Sequence, residues 1–434
     1  MSSDGITGGN IAVSIVSVIT GGIVVIIVSV LIYKCYKLRI LCKYGGLPPA
    51  PPVLPLVEPR AAAVVPSSGG GTTATTTGKH SSSGYDAVDV VKNRPVRFSS
   101  LQLQEFTANY AERLGAGGFG VVYRGQIPLP NYGSLLVAVK VLAPNMDRRA
   151  EEQFMAEIGT IGRTSHVNLV RLYGFCFDAD LKALVYEFML NGSLDRHLFG
   201  DGDEEERLGF DRLHDIAVGT AKAIRYLHDE CERRIIHYDI KPGNVLLDEA
   251  FRPKVADFGL ARLCERERTH MTMTGGGRGT PGYAAPELWM AAPATHKCDV
   301  YSYGMLLFEI LGRRRNYIDG GSSALEESAE RWYPRWVWQR LERGETEALV
   351  ARALAGTAGK EGRKQVERMC AVALWCVQYR PEDRPSMCGV VRMLEGEEEV
   401  AAPAVSPFAH LESDLLSQTT DLTTETTTFD DAAA

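Results

Sequence analysis

The 434-residue sequence predicts an α+β fold preceded by one transmembrane helix. Three observations carry that expectation. Residues 11–33 form an almost purely apolar run without a charge. Residues from about 98 to 188 favour short β-branched strands around one helix, and from there to about 394 the apolar spacing turns helical.

The length allows two or three domain-sized units, and a hydrophobic fraction of 45% allows a sizeable core. A net charge of −7, with Lys and Arg scattered, gives no reason to expect nucleic acid as a partner. None of the nine cysteines pairs at zinc-ligand spacing with a histidine nearby, so they read as free thiols in a reducing compartment.

Taken in order, residues 1–10 are a short outer N-terminus and residues 11–33 the membrane helix, since about 20 apolar residues cross a bilayer. The first ten residues carry no Lys or Arg, which separates the run from a cleaved signal peptide. Lys34, Lys37, Arg39 and Lys43 follow it, and basic flanks stay in the cytoplasm. Cys35 and Cys42 are candidates for palmitoylation, with unmodified thiols as the alternative. Residues 34–97 pass from basic to Pro-, Ser-, Thr- and Gly-rich, a composition that cannot bury enough apolar surface to fold and reads as a flexible linker. Residues 98–396 read as globular. The tail, 397–434, is acidic and then Thr-rich and reads as disordered.

The globular part carries the chemistry. Leu114-Gly115-Ala116-Gly117-Gly118-Phe119-Gly120-Val121-Val122 places Gly115, Gly117 and Gly120 where a backbone can approach phosphates without Cβ clashes. A second strand, not a helix, follows, so the loop is a hairpin lid. Lys140, in Val137-Ala138-Val139-Lys140, falls where a third strand would bring it to the α- and β-phosphates. A buried ammonium needs a carboxylate. In the helical stretch that follows, Phe154, Ile158 and Ile161 share one face and Glu157 lies at its edge; Glu151 and Glu152 suit an exposed first turn instead. In His237-Tyr238-Asp239-Ile240-Lys241-Pro242-Gly243-Asn244, Asp239 can accept the proton of a substrate hydroxyl and Asn244 can offer an amide oxygen to magnesium. Asp257-Phe258-Gly259, at the end of an apolar strand, suits the same hard cation.

These motifs, in this order, resemble the eukaryotic protein kinases over roughly residues 105–394, with further matches at Gly279-Thr280-Pro281-Gly282-Tyr283-Ala284-Ala285-Pro286-Glu287 and Asp299-Val300-Tyr301-Ser302-Tyr303-Gly304. The resemblance implies a bilobal fold within residues 98–396. ATP would lie between the lobes, its adenine among Leu114, Val122, Ala138 and Leu246. Tyr186-Glu187-Phe188-Met189 would be the hinge, Tyr186 the gatekeeper, and Glu187 and Met189 part of the ATP site. Asn244 and Asp257 would hold Mg²⁺, with Mn²⁺ as the alternative ion. Lys241 would neutralise the moving phosphoryl group. Lys241 with Thr280 resembles Ser/Thr kinases, and Arg384 would pair with Glu287. Thr269, Thr272, Thr274 and Thr280 would lie in the activation segment.

More narrowly, His166-Val167-Asn168-Leu169-Val170-Arg171-Leu172-Tyr173-Gly174-Phe175-Cys176 and Asn191-Gly192-Ser193-Leu194-Asp195 resemble plant receptor-like kinases. Trp332-Tyr333-Pro334-Arg335-Trp336-Val337-Trp338 and Trp375-Cys376-Val377-Gln378 resemble the leaf-rust-resistance receptor-kinase subfamily, whose usual cysteine-rich outer domain has no counterpart here. The expectation is a single-pass kinase, its kinase domain cytoplasmic and its helix in the plasma membrane. It would act in signalling, with plant defence as the candidate setting. Its partners would be ATP, protein substrates, the lipid bilayer, and a membrane co-receptor or other signalling proteins. The alternatives are a pseudokinase scaffold and a purely structural membrane-linker protein. Lys140, Glu157, Asp239, Asn244 and Asp257 are all present, which favours the enzyme. Two departures stand out. Tyr238 replaces the usual Arg and cannot form a charge-assisted pair with a phosphate; it either frees activation from loop phosphorylation or simply packs in an apolar pocket. Pro281 stiffens the substrate loop and removes an amide donor.

Overall fold

The computed structural model describes residues 94–409 apart from 118–119, 130–132, 144–147, 201–206, 265–278, 291–292, 318–330 and 355–359. Among the described residues no helix is long and apolar enough to cross a membrane; the predicted span at 11–33 lies outside them.

The first lobe is a sheet with two helices. Its elements are β1 (Val96–Arg97), α1 (Ser100–Phe106), β2 (Arg113–Gly117), β3 (Gly120–Leu129), β4 (Gly133–Leu142), α2 (Arg148–Ile161), β5 (Leu172–Phe177) and β6 (Lys182–Glu187). The strands run in the order β1-β5-β6-β4-β3-β2, antiparallel except for β1 beside β5. Along β4 the side chains alternate. Val137 and Val139 are buried on one face, which leaves Ala138 and Lys140 together on the other. The sheet's own core holds Val137 and Val139 with Ile127, Cys176, Ala183 and Val185, and against them Phe98, Leu103 and Phe106. Burying each of those last three contributes about 1.5–3 kcal/mol.

The second lobe is mostly helical: α3 (Leu194–Phe199), α4 (Phe210–Arg225) continued by a π-turn (Tyr226–Glu230), α5 (Lys297–Gly312), α6 (Tyr333–Glu342), α7 (Thr346–Leu354), α8 (Lys360–Cys376) and α9 (Met387–Glu395). Four short strands, β7 (Arg234–Ile236), β8 (Val245–Leu247), β9 (Pro253–Val255) and β10 (Arg262–Cys264), pair antiparallel as β7 with β10 and β8 with β9. Helix α5 is apolar on nearly every side and almost wholly buried, as a central helix must be. Tyr303 anchors it by donating to the Ala217 carbonyl of α4 at 2.9 Å.

Both predicted boundaries move outward. Residues 96–97, placed in the linker, form β1, because the free edge of β5 pairs with them. Residues 397–409, placed in the disordered tail, lie against the second lobe. Trp375 donates to the Ala401 carbonyl at 2.8 Å, and Phe408 is buried edge-on to Trp332 at 4.6 Å. Acidic composition at 395–399 masked this short apolar return.

Candidate active site

A cavity of about 600 Å³ opens between the lobes, lined by Leu114, Gly115, Val122, Ala138, Lys140, Glu157, Tyr186, Glu187, Met189, Asn244, Leu246 and Asp257. These residues, predicted on separate motifs, therefore share one wall system. The β3–β4 register brings Val122 opposite Lys140, and the β8–β9 hairpin brings Asn244 to the Ala256–Asp257 corner, where the Ala256 N–H donates to the Asn244 carbonyl at 2.9 Å.

The roof centres on Lys140. Its Nζ lies 3.4 Å from Glu157 Oε2 and 3.0 Å from Asp257 Oδ1. Glu157 is only 3% exposed, and its other oxygen accepts the Tyr186 hydroxyl. Glu152 instead makes an exposed contact with Arg148 at 3.2 Å, so the choice of Glu157 from its helical face agrees with the structure. Burial opposes the charge on Lys140, but the two carboxylates outweigh it and hold the ammonium above its ordinary pKa. Burial also works against an ionised Asp257, yet Lys140 prevails and keeps it below the usual carboxylate range. For Glu157 burial prevails, and its carboxyl is pushed up despite Lys140.

The floor is a second polar set. Asp239 Oδ2 accepts from Lys241 Nζ at 2.8 Å and from Asn244 Nδ2 at 2.8 Å; Oδ1 accepts from the Thr280 hydroxyl at 2.6 Å. Lys241 Nζ also donates to Thr280 Oγ1 at 2.7 Å. Because Asn244 commits its amide nitrogen to Asp239, its Oδ1 is left as the acceptor. Among the described residues no group of three or more His, Cys, Asp or Glu side chains is placed to hold a metal. One ionised carboxylate and one amide oxygen on a shared cavity are a poor cage alone. They suit an ion that draws its remaining ligands from water and phosphates, which is the habit of Mg²⁺.

The loop that carries Asp239 is held from beneath by Asp299, to which the sequence motif assigned no role of its own. Asp299, at the start of α5, accepts the His237 N–H on Oδ2 and the Tyr238 N–H on Oδ1, each at 2.8 Å, and its Oδ2 lies 2.8 Å from His228 Nε2. Burial opposes its ionisation, but the His228 hydrogen bond and nearby imidazoles hold Asp299 below the usual carboxylate range. The signal was available: an aspartate opening an otherwise apolar helix must be satisfied by buried donors. The bonds hold Tyr238 at φ +65°; Asp257 adopts a similar φ of +64°. Such conformations cluster at functional sites.

Other expectations resolve on geometry. Arg384, fully buried, donates to both Glu287 oxygens at 2.6 and 2.9 Å. The Glu187 carboxylate points out of the cavity, taken by the Arg171 N–H at 2.6 Å and by Lys254 at 3.0 Å, so Glu187 offers the cavity its main chain. Tyr238 is 1% exposed, packed with Ile236, Cys264, Ala285, Leu288, Ala294 and Cys298: the apolar pocket. Pro281 starts a tight turn, closed by the Tyr283 N–H on the Thr280 carbonyl at 3.1 Å, with Gly282 at φ +88°. Proline then glycine at those positions is the type II pattern, so the proline forms the turn. Thr269, Thr272 and Thr274 lie outside the described residues.

A family model described as protein tyrosine and serine/threonine kinase matches residues 108–394. The chain belongs to that kinase family. Among its relatives, the leaf rust 10 disease-resistance locus receptor-like protein kinase-like 2.3 of Arabidopsis thaliana is 41% identical over 72% of this kinase and 48% of its own length. Rust resistance kinase Lr10 of Triticum aestivum is 39% identical over 75% of the kinase and 49% of its own length. A G-type lectin S-receptor-like serine/threonine-protein kinase of Arabidopsis thaliana is 46% identical over 70% and 35%. The chain thus spans about half the length, or less, of these relatives.

Proposed function

We propose that this chain is a membrane-anchored serine/threonine protein kinase that transfers the γ-phosphate of ATP to hydroxyls of proteins at the cytoplasmic face. The observation that carries the proposal is the facing of two polar sets across one cleft: Lys140 with Glu157 and Asp257 above, Asp239 with Lys241, Asn244 and Thr280 below.

In this reading the apolar side chains of Leu114, Val122, Ala138 and Leu246 take the adenine, beside the main chain of Glu187 and Met189. Lys140, kept charged and steered by Glu157, grips the α- and β-phosphates. Asn244 Oδ1 and the ionised Asp257 carboxylate would hold Mg²⁺, or Mn²⁺; when bound, the ion neutralises charge on the β- and γ-phosphates. Asp239 orients the substrate hydroxyl and accepts its proton. Lys241 sits beside Asp239 and balances the charge of the moving phosphoryl group, with Thr280 fixing both. Most of the catalytic effect is then positioning and electrostatics, as phosphoryl transfer requires.

The membrane anchor rests on the apolar run at 11–33 and its basic flank, and on relatives whose names include receptor-like. A role in defence signalling rests on relatives named for rust resistance, and a co-receptor or other signalling proteins would supply the input. The test is transfer of labelled phosphate from ATP, with and without Mg²⁺, by the full chain and by Asp239→Asn and Lys140→Ala. Labelling by the parent alone supports the enzyme; equal labelling of all three ends the claim.

A further inference from the structure

The matched kinase domain begins at residue 108, yet residues 95–106 are built into its small lobe. Val96 and Arg97 pair with Gly174 and Phe175 of β5, and the Phe98 N–H donates to the Phe175 carbonyl at 2.8 Å. Arg97 donates to the Phe177 carbonyl at 2.9 Å, and the Ser100 N–H to Asp178 Oδ2 at 2.9 Å. The seat is tight. A Cβ on Gly174 would stand 2.2 Å from the Val96 carbonyl oxygen and 2.4 Å from the Phe98 ring. Three of the nine buried residues of this core, Phe98, Leu103 and Phe106, come from the added segment, so the sheet's back face is incomplete without it.

The same segment reaches α2 by two routes. Phe177, at the end of β5, stacks on Phe154 of α2 with ring centres 5.8 Å apart. Phe154 precedes Glu157 by three residues, hence one turn on the same helix. At the C-terminal end, Pro95 packs so close to Gly162 that a Cβ there would meet its ring at 3.0 Å, just past the last residue of α2. The middle and the C-terminal end of the helix that carries Glu157 therefore bear on residues 95–100 or on the strand they pair with.

We propose that residues 95–100 are a positioning element for Glu157. They fix β5 and the C-terminal end of α2, and through them hold the carboxylate against Lys140. Any pull or release on the chain before residue 95 would reach the cleft by this path. The inference rests on the kinase reading above.

The experiment uses the full chain with Gly174→Ala, Ser100→Pro, Glu157→Gln and the two combinations with Glu157→Gln. Gly174→Ala forces Val96 and Phe98 off the sheet edge. Ser100→Pro removes the N–H and the hydroxyl that bond Asp178 and leaves the backbone path unstrained: proline is tolerated at the first helical position, and Ser99, at φ −84° and ψ 160°, is already extended as a residue before proline must be. The readouts are kcat, KM for ATP, and hydrogen exchange of α2 amides. We expect KM for ATP and α2 exchange to rise about tenfold or more in Gly174→Ala and about threefold in Ser100→Pro, in line with the cost of small misplacements. Neither change should alter kinetics further once Glu157 is Gln. A merely structural role would lower activity by the same factor in both backgrounds, and that result overturns the proposal. So do unchanged KM and α2 exchange in Ser100→Pro, which decides alone if Gly174→Ala does not fold. If the parent transfers no phosphate, the kinase reading falls, and α2 exchange still decides the positioning.

Discussion

Replacing Asp299 by asparagine tests how the loop that carries Asp239 is held. The carboxylate has no exposed surface and receives two backbone N–H groups, one on each oxygen, from His237 and Tyr238 at 2.8 Å. An asparagine offers one acceptor there; its NH₂ group would face a backbone N–H and leave a buried donor unpaired. A buried hydrogen bond to a charged group is worth about 1.5–3 kcal/mol. Tyr238, at φ +65°, sits in a conformation that costs about 1–3 kcal/mol unless its surroundings enforce it. The two magnitudes are comparable, so loss of one bond is enough to let the loop relax. If the loss falls on the placement of Asp239 in the transition state, kcat drops about 10- to 150-fold. KM for ATP should stay within about threefold, because Lys140 and the adenine-side residues do not touch Asp299. Steady-state kinetics, with circular dichroism and thermal unfolding to verify the fold, make the measurement. A folded Asp299→Asn enzyme with kcat within threefold of the parent refutes the reasoning, as does a loss seen only in KM.

Four further outcomes follow from the structure. Burial, then His228 and Arg234, lowers the His296 pKa to about 3, so His296 stays neutral when folded and protonates near pH 6.5 when unfolded. Stability from this group is therefore full above about pH 6.5 and falls with pH down to about 3, by about 1.4 kcal/mol at pH 5.5; urea unfolding at pH 8 and 5.5 should show His296→Gln losing that part of the dependence. Gly120→Ala should abolish nucleotide binding and unfold the small lobe, because its Cβ would stand 2.0 Å from the Val141 carbonyl oxygen. Gly115→Ala and Gly117→Ala meet no described atom within 4 Å, so their stability should stay within about 1 kcal/mol of the parent and any lost activity reports on phosphate approach. Replacing Thr269, Thr272 and Thr274 by alanine should cost less than about a hundredfold in kcat/KM, or about 2.7 kcal/mol, because buried Tyr238 offers a loop phosphate no charge; a larger loss in a peptide phosphorylation assay would show another phosphate receptor.

Much of the cleft could be read from the chain because its residues sit in short motifs whose chemistry is local. Lys140 follows from one cation in an apolar strand, and Glu157 from the edge of a helical face. What escaped was long-range. Asp299 acts on residues about 60 positions earlier, and nothing in its own neighbourhood names His237 or Tyr238 as its donors. Periodicity could not say that Glu187 turns its carboxylate to Lys254, since strand alternation gives a face but not a partner. The two outer boundaries failed for a related reason. Val96 and the apolar stretch ending at Phe408 are short, and only a sheet edge or an aromatic neighbour already in place gives them a home.

Burial of Tyr238 also constrains how this sequence can change. An arginine placed there would bring a guanidinium among Ile236, Cys264, Ala285, Leu288 and Cys298, a cost of several kcal/mol unless those neighbours change to receive it. Restoring the more common residue therefore requires rebuilding its neighbours first. A change at position 238 is therefore coupled to its neighbours: made alone it strains the pocket, and made with them it need not.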